Sequence, residues 1–136
     1  FFWQVTTYFM QEKFQLKKPY WDWAGRTVWS NLYKIAPQQG DKHPNPSDED
    51  CVLQRPECVR LVELELRELK PTYCLVLTND DWWAHFRTGL RTTELERPKD
   101  GPVQSVEEFG NTRIVVCTRP YVGNYKAHVE RILEYL

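Results

Sequence analysis

Three short stretches of this chain carry side chains that could bind or transform a ligand. The first is Trp29-Ser-Asn31-Leu-Tyr-Lys34. An Asn amide offers two donors and one acceptor, enough to read the edge of a nucleobase or to hold an amide ligand. The same Asn could instead cap nearby backbone at the end of a strand. The second stretch, Thr78-Asn-Asp-Asp-Trp-Trp83, puts two carboxylates where a helix begins. Asp80 and Asp81 could serve as a general base or as metal ligands; as helix caps they are equally well explained. Of the adjacent Trp82 and Trp83, one is expected to face the core and the other the surface, where an indole can stack on a base.

The third stretch is Thr118-Arg119-Pro120-Tyr121-Val122-Gly123-Asn124, between an apolar run and a helical pattern. Free amides at a helix N-terminus attract phosphate, and Arg119 could add a charge-assisted fork. Gly123 permits close approach of backbone to ligand, and Tyr121 offers a stacking face. Thr118, Gly123 and Asn124 are therefore candidate phosphate contacts, and Trp82 and Tyr121 candidate base contacts. An ordinary connection with an exposed Arg is the alternative.

Other sources of chemistry are thin. The chain has no GxGxxG, GxxxxGK[ST], HExxH or GxSxG pattern. His43, His85 and His128 stand apart from any nucleophilic arrangement and read as surface or packing residues. Glu57, Glu63, Glu65 and Glu68, interleaved with Arg60 and Arg67, read as a solvated helix face.

The elements that must position these stretches follow from periodicity. Apolar residues at 3, 5, 9, 10 and 14 predict an opening helix with one buried face. Thr27 to about Leu32 is β-rich and predicts a strand, followed by a Pro-rich loop from Ala36 to Ser47. Ser47-Asp-Glu-Asp50 is a helix start, and Pro56 opens a second helix whose stripe at 58, 61, 62, 66 and 69 ends at Lys70-Pro71. Tyr73 to Thr78 and Arg113 to Cys117 read as buried strands of the parallel kind. Between them lie a helix from Trp82 to about Thr88 and weaker strand candidates at Thr92–Glu96 and Val103–Phe109. A last helix runs from about Asn124 to Leu136. The alternation predicts a three-layer α/β/α domain with a mostly parallel central sheet. In such sheets ligands sit beyond the carboxyl ends of the strands, where the three stretches fall.

Composition bounds the rest. The 136 residues suit one domain with its own core. Lys and Arg number 18 against 19 Asp and Glu, a net charge of -1 that disfavours broad phosphate-driven grip on duplex DNA. Aromatics are abundant, with 6 Trp, 7 Tyr and 6 Phe. No apolar run approaches the ~20 residues of a membrane span. Cys51, Cys58, Cys74 and Cys117 form no CxxC pair, so reduced, structural thiols in a cytoplasmic protein are expected. The chain opens on Phe1 rather than Met, as expected of a processed or excised segment.

Taken in order, these pieces resemble the uracil-DNA glycosylase superfamily, especially its bacterial branches. The resemblance lies in Val28-Trp-Ser-Asn31-Leu-Tyr-Lys34, the Pro-rich loop with Asn45-Pro46, the helix from Cys58 to Pro71 and the strand Tyr73 to Thr78. It closes with Ile114 to Cys117 running into Thr118-Arg119-Pro120 and a helix, so it spans roughly Val28 to Leu136. It implies that Asn31 reads a flipped-out base and that Arg119 stands at the catalytic position facing the scissile bond. The family carries His-Pro-Ser there; this chain has Arg119-Pro120-Tyr121. The family's first strand and its water-activating loop would precede Phe1. Ile35 stands where iron–sulfur branches place a Cys, and only Cys58 matches a cluster-ligand position, so no cofactor or metal is expected.

Three functions fit. One is a uracil-DNA glycosylase-like protein that recognises a nucleobase or DNA lesion and hydrolyses the N-glycosidic bond in base-excision repair. The second is a non-catalytic nucleic-acid or nucleotide binding module on the same fold. Both take DNA or a nucleobase-containing ligand as partner, and no membrane. The third is an unrelated α/β enzyme using Asp80 and Asp81 on a small substrate.

Overall fold

The computed structural model of the chain describes residues 2–16, 25–35, 48–120 and 125–136. The Pro-rich stretch 36–47, the Ser47 cap and most of the aromatic segment 19–25 lie outside them. A first helix, α1 (Phe2–Phe14), buries Val5, Phe9 and Met10 at helical spacing and leaves Trp3 and Phe14 exposed. It packs with the last helix, α4 (Tyr125–Leu133), on one face of a four-stranded sheet. Their shared core joins Val129 and Ile132 to Leu77, Val106, Val115 and Cys117.

The helices of the opposite face are α2 (Asp48–Leu69) and α3 (Asp80–Leu90). The sequence suggests a break at Pro56, yet α2 is one helix of 22 residues with Pro56 inside. Buried Cys51, Cys58, Val62 and Leu66 form one stripe that passes through the proline. Packing of that stripe outweighs the ~3 kcal/mol cost of an interior proline. Pro56 and Val52 lie on the exposed face, where the carbonyl left without its partner can be hydrated. Leu61 and Leu69, expected in the stripe, are exposed.

The strands are β1 (Tyr73–Val76), β2 (Thr93–Glu96), β3 (Val103–Phe109) and β4 (Thr112–Cys117), in the spatial order β1-β4-β3-β2. Only β1 and β4 run parallel, paired from Tyr73↔Arg113 to Val76↔Val116. The other two pairings are antiparallel. The architecture is thus mixed α/β as expected, but the sheet is mostly antiparallel rather than mostly parallel. The reason is connection length: a parallel return needs a dozen or more residues. Between β3 and β4 there are only Gly110 and Asn111, with Gly110 at φ 58°. That two-residue link can only close a hairpin. The weak strand candidates are real, and they form the antiparallel half.

Central β4 divides its side chains between the two cores. Val115 and Cys117 face α1 and α4, while Ile114 and Val116 face Trp83, Phe86 and Leu90 of α3 and Cys58, Val62 and Leu66 of α2. The run expected as a strand from Thr27 to Leu32 has no regular pairing among the described residues. Single contacts hold the segment 27–35 instead. Trp29 packs on α1 rings, Ser30 donates to Glu65, and both backbone groups of Ile35 bond the Gln54 amide. Cys51, Cys58, Cys74 and Cys117 form no disulfide, and burial pushes Cys74 and Cys117 up to about 12. His128 is buried on α4, and that burial lowers its pKa.

Close packing of α2 on α3 makes one glycine a sensitive site. A Cβ at Gly89 would lie 2.5 Å from Val59 Cγ1, and a helical Val has one strongly preferred rotamer and cannot swing away. Overpacking of ~1–3 kcal/mol should exceed the ~1 kcal/mol that Ala gains over Gly in a helix. Gly89→Ala is therefore expected to lower the urea midpoint; a raised midpoint would show that the two helices separate freely.

Candidate functional site

The parallel pair β1 and β4 places two loops side by side at their carboxyl ends, the position where open α/β sheets bind ligands. One residue stitches them together. Asn79 donates its backbone N–H to the Cys117 carbonyl at 3.0 Å, and its Oδ1 accepts the Arg119 N–H at 2.7 Å. It does so at φ 98° and ψ 155°, a conformation that non-glycine residues rarely hold unless the surroundings enforce it. Two further bonds complete the rim: Asp80 N–H to Gln104 Oε1 at 2.7 Å and Thr118 N–H to the Pro102 carbonyl at 2.8 Å. Beside them the Thr78 hydroxyl is buried and makes no hydrogen bond among the described residues.

The expected capping of α3 by aspartates is not what occurs. Asn79 occupies the N-cap position without a side-chain cap bond, because its side chain is committed to Arg119. The Asp80 carboxylate turns back to pair with Arg87 and with Arg97 Nη1 at 3.1 Å. Desolvation opposes its ionisation, but hydrogen bonds from the two arginines overcome it and lower its pKa. A carboxylate whose pKa two arginines hold down is a weak proton acceptor for general-base work. Asp81 is exposed.

Above the stitched loops lie aromatic rings. The Arg119 guanidinium sits 5.9 Å from the Phe2 ring centroid. Phe2 meets Trp29 edge to face at 5.2 Å, and Trp3 lies 5.6 Å from the same indole. Farther along the segment, Tyr33 packs against Trp82 at 5.5 Å and Phe86 at 5.5 Å. Asn31 is exposed between these two anchors. Arg119 thus contacts Phe2, which meets Trp29, and Trp82 contacts Tyr33; Asn31 lies between Trp29 and Tyr33 in the sequence. Asn31 is not at the end of a strand; the aromatic anchors of an irregular segment hold it. Thr118 contributes backbone to the rim. Tyr121, Gly123 and Asn124 lie outside the described residues.

A buried polar cluster lies behind the rim. Glu107, fully buried on β3, accepts from Arg87 Nε at 2.7 Å, Trp83 Nε1 at 2.9 Å, the Thr92 hydroxyl at 2.5 Å and the Ser105 hydroxyl at 2.7 Å. Arg87 links this cluster to Asp80, and Arg97 extends it to Glu94 at 2.6 Å. Alternation along β3, with Ser105 and Glu107 two apart, is the local signal for a shared face. The partners are distant in sequence, so no spacing announced them.

Among the described residues no group of three or more His, Cys, Asp or Glu side chains is placed to hold a metal ion. No described helix is long and apolar enough to cross a membrane. No protein-family model matches the chain, and comparison with curated proteins and with solved structures returns no match.

Proposed function

We propose that this chain is a nucleobase-recognising domain on a uracil-DNA glycosylase-like α/β scaffold. The observation that carries this is the Asn79 bridge, which fixes the Arg119 backbone at the paired loop ends, with its guanidinium beside Phe2 and, through that ring, Trp29. Asn31 would read the base edge, Trp82 would stack, and Arg119 would neutralise a phosphate or the charge on a base. The parallel β1–α3–β4 unit, with helices on both faces of the sheet, is consistent with that scaffold. Four cysteines that form no disulfide suit a cytoplasmic setting.

Recognition is placed ahead of hydrolysis. Excision of a base needs an oriented water and a donor for the departing anion. Arg119 could supply the second, whereas Asp80, paired with two arginines and lowered in pKa, is a weak base for the first.

Intrinsic Trp fluorescence, titrated with uracil-containing and thymine-containing single strands and duplexes, tests the proposal. Asn31→Ala is expected to weaken base-dependent binding by roughly 5- to 150-fold, the value of one good bidentate base contact of ~1–3 kcal/mol. Its urea midpoint should stay that of the unmodified chain, since Asn31 is exposed. Absence of binding to every strand, or unfolding of this variant, would sink the base-reading role. Release of free uracil would instead promote the hydrolytic reading.

A further inference from the structure

Trp3 belongs to two surfaces at once. Its ring packs against Trp29, and it also forms one end of a groove of about 580 Å³ between α1 and the start of α4. The α1 wall presents Gln4, Tyr8 and Gln11, and the α4 wall presents Tyr125 and Lys126. Tyr8 and Tyr125 meet edge to face at 6.0 Å. Lys126 Nζ stands 5.8 Å from the centre of the Tyr8 ring. The Tyr8 hydroxyl donates to Glu130 Oε1 at 3.4 Å, and Glu12 also lies within electrostatic reach of it.

We propose that this groove carries single-stranded nucleic acid away from the base-recognition end, with Trp3 as the step between them. The proposal rests on the base-recognising function and extends its ligand from one nucleotide to a short strand. Aromatic rings stack on bases of any sequence, the commonest device of single-strand binding. The amides of Gln4 and Gln11 can donate to and accept from base edges. Lys126 in the groove, and Arg119 outside it beside the Phe2 ring, offer two cations to backbone phosphates. Aromatic grooves also take proline-rich peptides, but a peptide backbone has no anion for either cation. The volume is that of a small-ligand cleft, ~300–1,000 Å³, which suits a short segment. With a chain charge of -1, stacking rather than charge must supply most of the affinity.

Fluorescence anisotropy of the whole chain with labelled dUMP, tetranucleotides and octanucleotides, in deoxy and ribo forms, tests this. Affinity is expected to rise at least tenfold from dUMP to the tetranucleotide, as about one stacked base contributes. Tyr8→Leu combined with Lys126→Ala should erase that rise and leave dUMP affinity unchanged. Lys126→Ala alone should flatten the salt dependence by about 0.7 in the log–log slope, the share of one phosphate on a single strand. A rise that survives both substitutions, no rise at all, or displacement of the strand by decaproline overturns the groove. If dUMP binds and length has no effect, only the groove fails. If dUMP does not bind either, base recognition fails with it.

Discussion

Glu107→Ala should remove about 3–5 kcal/mol of unfolding free energy, the usual loss when one partner of a buried ion pair is deleted. Glu107 is fully buried and accepts from Arg87, Trp83, Thr92 and Ser105. The alanine leaves four donors behind, each costing desolvation that nothing offsets. A domain of this size holds ~5–15 kcal/mol in all, so the variant should unfold at a much lower urea concentration. Changing Arg87→Met together with Glu107→Leu should lose less than the two single changes added, because the double variant strands fewer charges.

Acid should act on the same cluster. Burial works to raise the Glu107 pKa, yet the hydrogen bonds led by Arg87 prevail and lower it; Asp80 is lowered in the same way by Arg87 and Arg97. A carboxyl with a depressed folded-state pKa contributes its stability above the ordinary carboxylate range and loses it as pH falls toward the folded value. Urea midpoints should therefore be flat near neutrality and drop in acid, with a shallower drop in Glu107→Ala. A midpoint that barely moves, or an unchanged acid drop, would remove the cluster from the account of stability.

The parts of this molecule that were legible in its sequence share one property: their pattern is local. The stripe Val5, Phe9 and Met10, the apolar runs that became β1 and β4, and the face Val129 and Ile132 each report burial within a few residues. A two-residue turn at Phe109-Gly-Asn-Thr112 also rules out a parallel return, yet the alternation of elements alone points to a mostly parallel sheet. Proline was over-weighted at 56, where a buried stripe reaching back to Cys51 held the helix together. Residues 27–32 look β-rich, but strand formation needs a partner edge, which composition does not supply. The candidate site shows the same divide. Its place at the carboxyl ends of β1 and β4 follows from topology, and the adjacency of Trp82 and Trp83 implied opposite roles. The Asn79–Arg119 bond spans 40 positions and the Glu107–Arg87 pair 20. Such pairings depend on which strands become neighbours, so they appear only once the sheet exists.

Trp83 and Trp82 offer the sharpest separation of stability from binding. Trp83 is 0% exposed and stacks on Phe86 at 5.9 Å with rings nearly parallel. Trp83→Ala should cost ~3–5 kcal/mol through lost burial and a cavity between α3 and the sheet, and it also strips Glu107 of a donor. Trp83→Phe keeps most of the volume and loses the indole N–H, so ~1.5–3 kcal/mol is expected for a hydrogen bond to a charged acceptor. Trp82, one position earlier, is 41% exposed and touches Tyr33. Trp82→Ala should cost about 1 kcal/mol in stability, an aromatic pair at the surface. In a base-recognising domain it should also weaken binding by ~1–3 kcal/mol, the share of one stacked base. Denaturation and titration of the same three variants decide the matter. Trp83→Phe should shift the midpoint and leave the affinity of the folded protein alone, while Trp82→Ala should weaken binding with only the smaller midpoint shift of its lost Tyr33 contact. Trp82 is exposed and Trp83 buried, so a Trp83→Phe variant that also weakens binding would mean that the base site and the core are not separate surfaces.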